Sequence, residues 1–191
     1  VVEKYACYDD LKDFDAVIYA AGTKPIALPI PIDKEANVRI AVDTLDPEAK
    51  APKGRIVVIG GGLIGTETAV NLSLNKDNQV TMVEMLPQIM KDCSDCDHIV
   101  YTEMIRENNI RVMTNARVIE IGKNEVIVEV NGRKQCIEAD EVLIAVGMRS
   151  NTELLDKLVE AGMTVRNVGD SIRPGKIYDA IHTGYKAALK I

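Results

Sequence analysis

The sequence is poor in aromatic residues and in positive charge. It contains no tryptophan and one phenylalanine, and aromatic residues make up 4% of the chain. The formal net charge is -6 at pH 7, so the chain lacks the basic surface that binds nucleic acid. No apolar run approaches the roughly 20 residues that a membrane-spanning helix needs. These absences argue against nucleic-acid partners and against a membrane span.

Cysteine is also scarce, and its spacing suits no zinc site. Of the four cysteines, only Cys93 and Cys96 form a C-x-x-C pair, and His98 is the one histidine near them. A zinc site needs a second such pair, which the sequence does not contain. We therefore expect no metal site and favour ordinary reduced thiols, with a redox-active pair as the alternative.

The first residues of the chain resemble neither a signal peptide nor a transit peptide. A cytoplasmic protein is therefore the expectation. A length of 191 residues with 47% hydrophobic content allows one domain or two small ones, each with a real core.

The most informative segment is residues 56–67, Ile-Val-Val-Ile-Gly-Gly-Gly-Leu-Ile-Gly-Thr-Glu. Its four leading apolar residues predict a buried parallel strand, and helix-compatible residues follow from Thr66 to about Lys76. A G-x-G-x-x-G pattern between a strand and a helix is typical of the phosphate-binding turn of a dinucleotide-binding βαβ unit. The helix N-terminus would then present its N–H groups and its positive dipole end to the phosphates.

Each glycine of this pattern has its own physical role. Gly60 allows the tight turn, Gly62 leaves room for a pyrophosphate, and Gly65 lets the helix pack close to the strand. The next predicted strand, residues 80–83, ends in Glu84. A carboxylate at that position can accept hydrogen bonds from an adenosine ribose.

The remaining elements alternate around this unit. A strand is predicted at residues 14–19, followed by a proline-rich connector that ends in a domain boundary near Lys53. Asn131-Gly132 predicts a tight hairpin turn within an antiparallel meander. The further predicted strands are residues 110–113, 117–121, 125–130, 133–138 and 141–146.

Three further helices are predicted. One spans residues 98–109, and the last runs from about residue 176 to 189. Between them, Ser150-Asn151-Thr152-Glu153 has the pattern of a capping box that opens a helix, and Gly162 is a suitable stop.

Together these patterns resemble the two-dinucleotide-binding-domain flavoproteins, also called the pyridine nucleotide-disulphide oxidoreductase fold. In that family an NAD(P) domain is inserted into an FAD domain. Residues 54–146 resemble the inserted NAD(H)-binding domain, and Ala20-Ala21-Gly22 resembles the strand end that precedes it. The resemblance implies an α/β fold: a Rossmann-like three-layer domain of parallel sheet, helices and antiparallel β-meander. Partial FAD-domain segments, residues 1–53 and 147–191, would flank it.

The C-terminal region narrows the resemblance. Val168-Gly169-Asp170 resembles the family's Gly-Asp, whose carboxylate holds the FAD ribityl chain. Residues 176–185 resemble the NADH:flavin oxidoreductases such as 2,4-dienoyl-CoA reductase and enoate reductase, in which an FMN barrel and an iron–sulfur cluster precede this region. Here no glycine-rich turn lies upstream of Ala20, and Ser150 replaces the family's proline. We therefore expect the C-terminal part of a larger enzyme, with its N-terminal flavin and iron–sulfur portion missing.

The resemblance implies an FAD-dependent oxidoreductase that passes a hydride from NADH to FAD and on to an enoate or enoyl-type acceptor. The absence of an arginine at Met85 or Leu86 favours NADH over NADPH. FAD would bind weakly or not at all to this chain alone, and no side chain is expected to act as a catalytic acid or base. The implied cofactor-binding residues are Gly60, Gly61, Gly62, Leu63, Ile64, Gly65, Glu67, Glu84, Met85, Val118, Ala145, Gly147, Ala21, Gly22, Gly169, Asp170 and Ile177.

Two other functions remain open. The chain could be a stand-alone NAD(H)-binding module without turnover. It could also be a disulphide reductase of the thioredoxin reductase type that uses Cys93 and Cys96, although in that family the C-x-x-C precedes the NAD glycine motif. For Glu67, a position near the nicotinamide and a plain carboxylate in the first helical turn are equally consistent with the sequence.

Overall fold

The computed structural model describes residues 1–91 and 93–191. The helices are α1 (Tyr8–Leu11), α2 (Leu63–Ser73), α3 (Asp95–Glu107), α4 (Glu153–Glu160) and α5 (Ile177–Ala188). The strands are β1 (Val17–Tyr19), β2 (Thr23–Pro25), β3 (Val38–Ile40), β4 (Arg55–Ile59), β5 (Gln79–Val83), β6 (Arg111–Met113), β7 (Ala116–Ile121), β8 (Glu125–Val130), β9 (Arg133–Glu138), β10 (Glu141–Ile144), β11 (Met148–Ser150) and β12 (Val165–Asn167). None of the helices in these two ranges is long and apolar enough to cross a membrane.

The described chain divides into two compact units. The central unit is Pro25–Gly147, and the terminal unit combines Val1–Lys24 with Met148–Ile191. The boundaries expected from the family resemblance, after residues 53 and 146, concern cofactor domains and stay a prediction.

The central unit is built in three layers, as the sequence predicted. Its middle layer is a five-stranded parallel sheet in the order β3-β10-β4-β5-β6. Successive side chains of a strand point to opposite faces. Accordingly, Val57 and Ile59 pack against the antiparallel meander β7-β8-β9, whereas Ile56 and Val58 belong to the cluster on the helix side. Both faces of the sheet are therefore covered.

The meander also follows its predicted form. Asn131 and Gly132 join β8 to β9 with φ angles of 51° and 72°, which is the positive-φ pair of a two-residue type I′ turn. A register shift between Val118 and Glu120 interrupts the pairing of β7 with β8. The hairpin prediction is thus confirmed.

The proline-rich connector contains a strand that the sequence analysis missed. β3 forms the edge of the parallel sheet beside β10. The guanidinium of Arg39 holds it there, because its Nε donates to Glu141 Oε1 at 2.6 Å and its Nη1 donates to the carbonyl of Lys50 at 2.8 Å. A three-residue strand with a central arginine is too short to show an apolar period.

The terminal unit contains two small pairs of strands. β1 and β12 are parallel, and β2 pairs with β11. Leu158 of α4 is fully buried and packs with Val17 and Tyr19 of β1. This apolar cluster is the core of the unit.

The predicted capping box is wrong. α4 begins at Glu153, and its N-cap residue Thr152 makes no side-chain capping bond. Ser150 lies in β11 and donates its hydroxyl to the carbonyl of Asp170 at 2.9 Å, while Glu153 pairs with Lys24 at 2.6 Å. The two box residues therefore have other partners. The predicted stop at Gly162 is confirmed by its φ of 76° directly after the helix.

Candidate functional site

The glycine-rich turn lies at the carboxyl edge of the parallel sheet. It begins directly after β4, whose parallel neighbours are β10 and β5. Glu84 follows β5, and Ala145 follows β10. The fold therefore brings three separate sequence segments to one edge, where ligands of open α/β sheets bind.

Two of the glycines are required by close packing. A side chain at Gly65 would place its Cβ 2.0 Å from the carbonyl oxygen of Gly60. A side chain at Gly60, where φ is 110°, would place its Cβ 2.4 Å from the carbonyl oxygen of Ala145. The geometry thus agrees with the tight turn and the close helix–strand contact predicted for these positions.

Gly62 differs from both. A Cβ built on Gly62 meets nothing within 4 Å, and its φ of -71° suits any residue. Gly62 is the N-cap of α2 and, having no side chain, makes no capping hydrogen bond itself. An uncapped helix N-terminus facing open space has the donors and the room that a pyrophosphate requires.

Glu84 is buried and braces the turn. The residue as a whole is only 8% exposed. Oε2 accepts the backbone N–H of Gly61 at 2.6 Å, and Oε1 accepts the backbone N–H of Leu86 at 2.7 Å. A carboxylate offers about four lone-pair positions, so each oxygen keeps one for a further donor such as a ribose hydroxyl.

The loop after Glu84 closes onto the same turn. The backbone N–H of Met90 donates to the carbonyl of Gly61 at 2.6 Å, and Met90 is buried with a φ of 53°. A left-handed backbone is uncommon for a methionine and needs support from its surroundings. Ile89 also packs here, because a Cβ on Gly61 would lie 2.6 Å from Ile89 Cγ2.

The other residues expected to bind NADH have different surroundings. Leu63, Ile64 and Met85 are exposed beside the turn. Val118 is buried in the cluster between sheet and meander, so only its backbone could meet a ligand. The ligand contacts of all these residues stay a prediction.

A separate cavity of about 420 Å³ lies between α2 and α3 and does not include the glycine turn. Glu67 lines it and accepts a hydrogen bond from the hydroxyl of Tyr101 at 3.1 Å. Burial raises the pKa of the Tyr101 hydroxyl above its usual value, and the hydrogen bond to Glu67 raises it further. Glu67 is therefore oriented by α3, which leaves its role toward the nicotinamide a prediction.

The C-x-x-C pair lies at the start of α3. Ser94 is the N-cap and accepts the N–H of Asp97 at 3.2 Å; Cys93 is half-buried, and Cys96 is exposed on the rim of the cavity. In the described ranges no group of three or more His, Cys, Asp or Glu side chains could hold a metal ion.

The residues expected to contact FAD in the terminal unit are Ala21, Gly22, Gly169, Asp170 and Ile177. Gly22 and Gly169 both have positive φ angles, of 67° and 62°. Asp170 Oδ1 accepts the N–H of Gly175 at 3.2 Å, and Ile177 is exposed at the start of α5. Gly147, the remaining candidate, ends the central unit with a φ of 111°. The contacts of these residues with FAD stay a prediction.

Sequence reasoning missed the hydrogen bond from Leu86 to Glu84 and the one from Met90 to Gly61 of the turn. Both act through backbone atoms, so no side-chain type marks them. The only usable signal was the loop's position directly after Glu84, at the edge where the turn also lies.

The sequence of this chain is similar to those of known proteins. The sequence profile of the pyridine nucleotide-disulphide oxidoreductases matches residues 6–172. The chain is 37% identical over 175 residues to a bilirubin reductase of Mediterraneibacter gnavus, covering 91% of this chain and 27% of that protein. It is 34% identical over 182 residues to an NADH oxidase of Thermoanaerobacter brockii, covering 93% and 28%.

A solved structure is also similar to this chain. A 2-naphthoyl-CoA reductase superposes with a TM-score of 0.85 at 29% identity, covering 97% of this chain and 28% of that one. The chain thus spans less than a third of the length of these relatives. Because the profile matches most of the sequence, the chain belongs to the pyridine nucleotide-disulphide oxidoreductase family.

Proposed function

We propose that the chain is the NADH-binding part of an FAD-dependent NADH:flavin oxidoreductase, with residues 54–146 as its NAD(H)-binding domain. The observation that carries this proposal is the open, uncapped start of α2 at Gly62 beside the braced carboxylate of Glu84. Family membership implies NAD(P)H and FAD as cofactors.

The residues of the turn bind and orient the nucleotide. The N–H groups at the start of α2 hold the pyrophosphate, helped by the positive end of the helix dipole. Glu84 accepts the hydroxyls of the adenosine ribose with the lone pairs that Gly61 and Leu86 leave unused. When bound, the nicotinamide supplies a hydride and the flavin accepts it. No protein group has to transfer a proton in that step.

NADH is preferred to NADPH in this proposal. A 2′-phosphate would meet the carboxylate of Glu84, and the two residues that follow, Met85 and Leu86, carry no charge. Selective phosphate binding is the usual task of arginine, which the chain lacks at these positions.

The electrons pass to an unsaturated acyl acceptor of the enoate or enoyl type. The support is the C-terminal resemblance to the enoate reductases and the similarity to a structure described as a 2-naphthoyl-CoA reductase. The chain covers 28% of that protein, and we assign no residue of this chain to the acceptor site.

FAD is retained weakly or not at all by this chain alone. A second glycine-rich turn for the FAD pyrophosphate is not present in the sequence. Each charge-assisted hydrogen bond lost is worth roughly 1.5–3 kcal/mol, and every 1.4 kcal/mol is about tenfold in affinity. We expect the purified chain to be colourless and inactive as a diaphorase.

A binding module without turnover is the second candidate. It is favoured by the compactness of the central unit, which contains the whole glycine turn with Glu84. Diaphorase activity of the polypeptide together with added FAD would exclude it.

Calorimetric titration of the chain with NADH and with NADPH tests the proposal. We expect NADH to bind and NADPH to bind at least about tenfold more weakly, a difference of about 1.4 kcal/mol. Equal or tighter binding of NADPH contradicts the assigned role of Glu84. No binding of either nucleotide contradicts the function itself.

A further inference from the structure

Strand β9 forms one edge of the antiparallel meander. In the described ranges the order of this sheet is β7-β8-β9, and β9 pairs only with β8. Its residues are exposed except Ile137, which is buried in the cluster between the meander and the parallel sheet. The second edge of β9 is therefore accessible to another strand.

The direction of the backbone groups of β9 follows from the residue after it. The N–H of Ala139 donates to the carbonyl of Asn124 at 2.9 Å, on the side of β8. Along an antiparallel strand, successive residues direct their N–H and C=O groups alternately to one neighbouring strand and to the other. The N–H and C=O groups of Lys134, Cys136 and Glu138 therefore point away from β8.

The side chains of these three residues share one face. They alternate with Ile137, so they point away from the core. A lysine stands two positions before Cys136, and a glutamate stands two positions after it. The side chain of Glu138 is paired with Arg55, yet it is 75% exposed and leaves room for a second cation. The strand thus carries opposite charges at equal distances from its central cysteine.

We propose that β9 pairs in antiparallel orientation with β9 of a second copy of the chain, about a two-fold axis at Cys136. In this register Lys134 lies opposite Glu138 of the second copy, Glu138 lies opposite Lys134 of the second copy, and the two Cys136 residues lie opposite each other. These are the residues whose backbone groups point away from β8, so each opposed pair can exchange two N–H···O=C bonds. The two meanders then form one continuous sheet.

Charge complementarity favours this register and this occupant. Opposite charges that face each other across two strands contribute about 0.2–1 kcal/mol, whereas like charges destabilise the pairing. An axis at Lys134 or at Glu138 would place like charges opposite each other. An axis at Gln135 or at Ile137 would not bring Lys134 opposite Glu138. A two-fold contact requires a self-complementary surface, and the strand has one in the register centred on Cys136.

The charges of β9 also limit what else can bind to it. Charged residues on an edge strand normally prevent uncontrolled pairing with other chains. Here they are of both signs and symmetrically placed, so they oppose the shifted registers and allow one. Because the contact is only one strand wide, we expect a weak and reversible dimer.

Sedimentation equilibrium of the full chain over a range of concentrations tests the pairing. The parent should dimerise reversibly. Lys134→Glu and Glu138→Lys each turn both attractive pairs of the dimer into repulsive ones, so each should weaken it at least about tenfold, equivalent to about 1.4 kcal/mol. The double variant with both changes restores opposite charges and should recover the affinity of the parent.

The control for charge is Glu120→Lys, which makes the same change as Glu138→Lys on the exposed side of β7. It should leave the dimer intact. Urea midpoints of all variants check that the fold is retained. A parent that stays monomeric at every concentration overturns the proposal. It is also overturned by a dimer that neither single reversal weakens, or by a double variant that dimerises no better than the single ones.

Cys136 reports on the register directly. Opposed residues of a hydrogen-bonded pair have Cα atoms about 5.5 Å apart, which a disulphide can span. The variant Cys7→Ser, Cys93→Ser, Cys96→Ser keeps Cys136 as its one thiol. Diamide should oxidise two opposed thiols to a disulphide, taking up their two protons and two electrons, and give a covalent dimer on a non-reducing gel. The hydrogen bond to Glu125, and then burial, raise the pKa of the Cys136 thiol, so the reaction is run at alkaline pH.

The matched control for cross-linking keeps Cys7, which is also exposed, as its one thiol. It should remain monomeric in diamide. Equal cross-linking of the two single-thiol variants overturns the proposed register. NADH titration of the charge variants reports on the proposed function separately, because β9 contributes no residue to the glycine turn. Their NADH affinity should match that of the parent whether or not the dimer forms.

Discussion

The two units of this chain differ in how completely their apolar residues are buried. The central unit covers both faces of a five-stranded sheet, with one apolar cluster toward the meander and one toward α2 and α3. The terminal unit has three buried apolar residues in its cluster, and on α5 it exposes Ile177, Ile181 and Tyr185. The glycine turn and Glu84 thus lie in the unit with the larger apolar core, which is the unit that we propose binds the nucleotide.

The largest effect is expected from a substitution that disturbs the packing of the central unit. Gly65→Ala would place a Cβ against the Gly60 carbonyl, and backbone cannot move aside as a side chain does. We expect a loss of about 3 kcal/mol or more in the free energy of unfolding, together with loss of NADH binding. Urea denaturation followed by circular dichroism measures it.

The matched control for that substitution lies in the terminal unit. Gly184 is in α5, where an added Cβ meets nothing within 4 Å. Gly184→Ala should leave stability unchanged or raise it by about 0.5–1 kcal/mol. If both variants behave alike, the close packing at Gly65 does not govern the stability of the central unit.

A substitution at Gly62 separates binding from folding. Val at this position fits the backbone, yet its side chain would fill the space in which the pyrophosphate is proposed to lie. Gly62→Val should keep the parent's urea midpoint while NADH affinity falls at least about 100-fold, equivalent to about 2.7 kcal/mol. Calorimetry measures the affinity, and binding like that of the parent would rule the turn out as the site.

Glu84→Gln should lower folding and binding together. An amide retains one acceptor oxygen, but its NH₂ group would face the N–H of Gly61 or Leu86, donor against donor. We expect the free energy of unfolding to fall by about 1–3 kcal/mol, and NADH affinity to fall with it. Glu120→Gln, on the exposed side of β7, is the control and should change neither. A change in affinity without any change in stability would show that Glu84 contacts only the ligand.

The smallest effect is expected at the start of β4. The Arg55 side chain, and then its backbone N–H, lower the pKa of the Asp140 carboxyl from 3.8 to about 2. Since the folded value lies below the unfolded one, this contact stabilises the fold above about pH 4 and stops doing so as the pH falls to about 2. The parent should therefore have a higher urea midpoint than Asp140→Asn at pH 5, and this difference should shrink as the pH falls to about 2. A difference that stays constant over this range would contradict the assignment.

The sequence predicted the parts of the fold that depend on periodic or strongly local signals. The strand, turn and helix at residues 56–67 and the Asn131-Gly132 hairpin are of this kind, because glycine geometry and apolar alternation decide them locally. β3 was not predicted, because its place in the sheet depends on the hydrogen bond from Arg39 to Glu141, a residue about a hundred positions later in the sequence. The capping box failed for the same reason, because Ser150 and Glu153 are engaged by Asp170 and Lys24.

The carboxylate of Glu84 has a consequence for how this family can change its coenzyme. Glu84→Arg would add a partner for a 2′-phosphate, but it would also leave the amides of Gly61 and Leu86 without their acceptor. The single exchange should therefore gain NADPH preference and lose stability at once. Under the proposed role of Glu84, a second substitution that offsets the lost acceptor should make the exchange to NADPH less costly in stability, so the order of the two mutations matters as well as their identity.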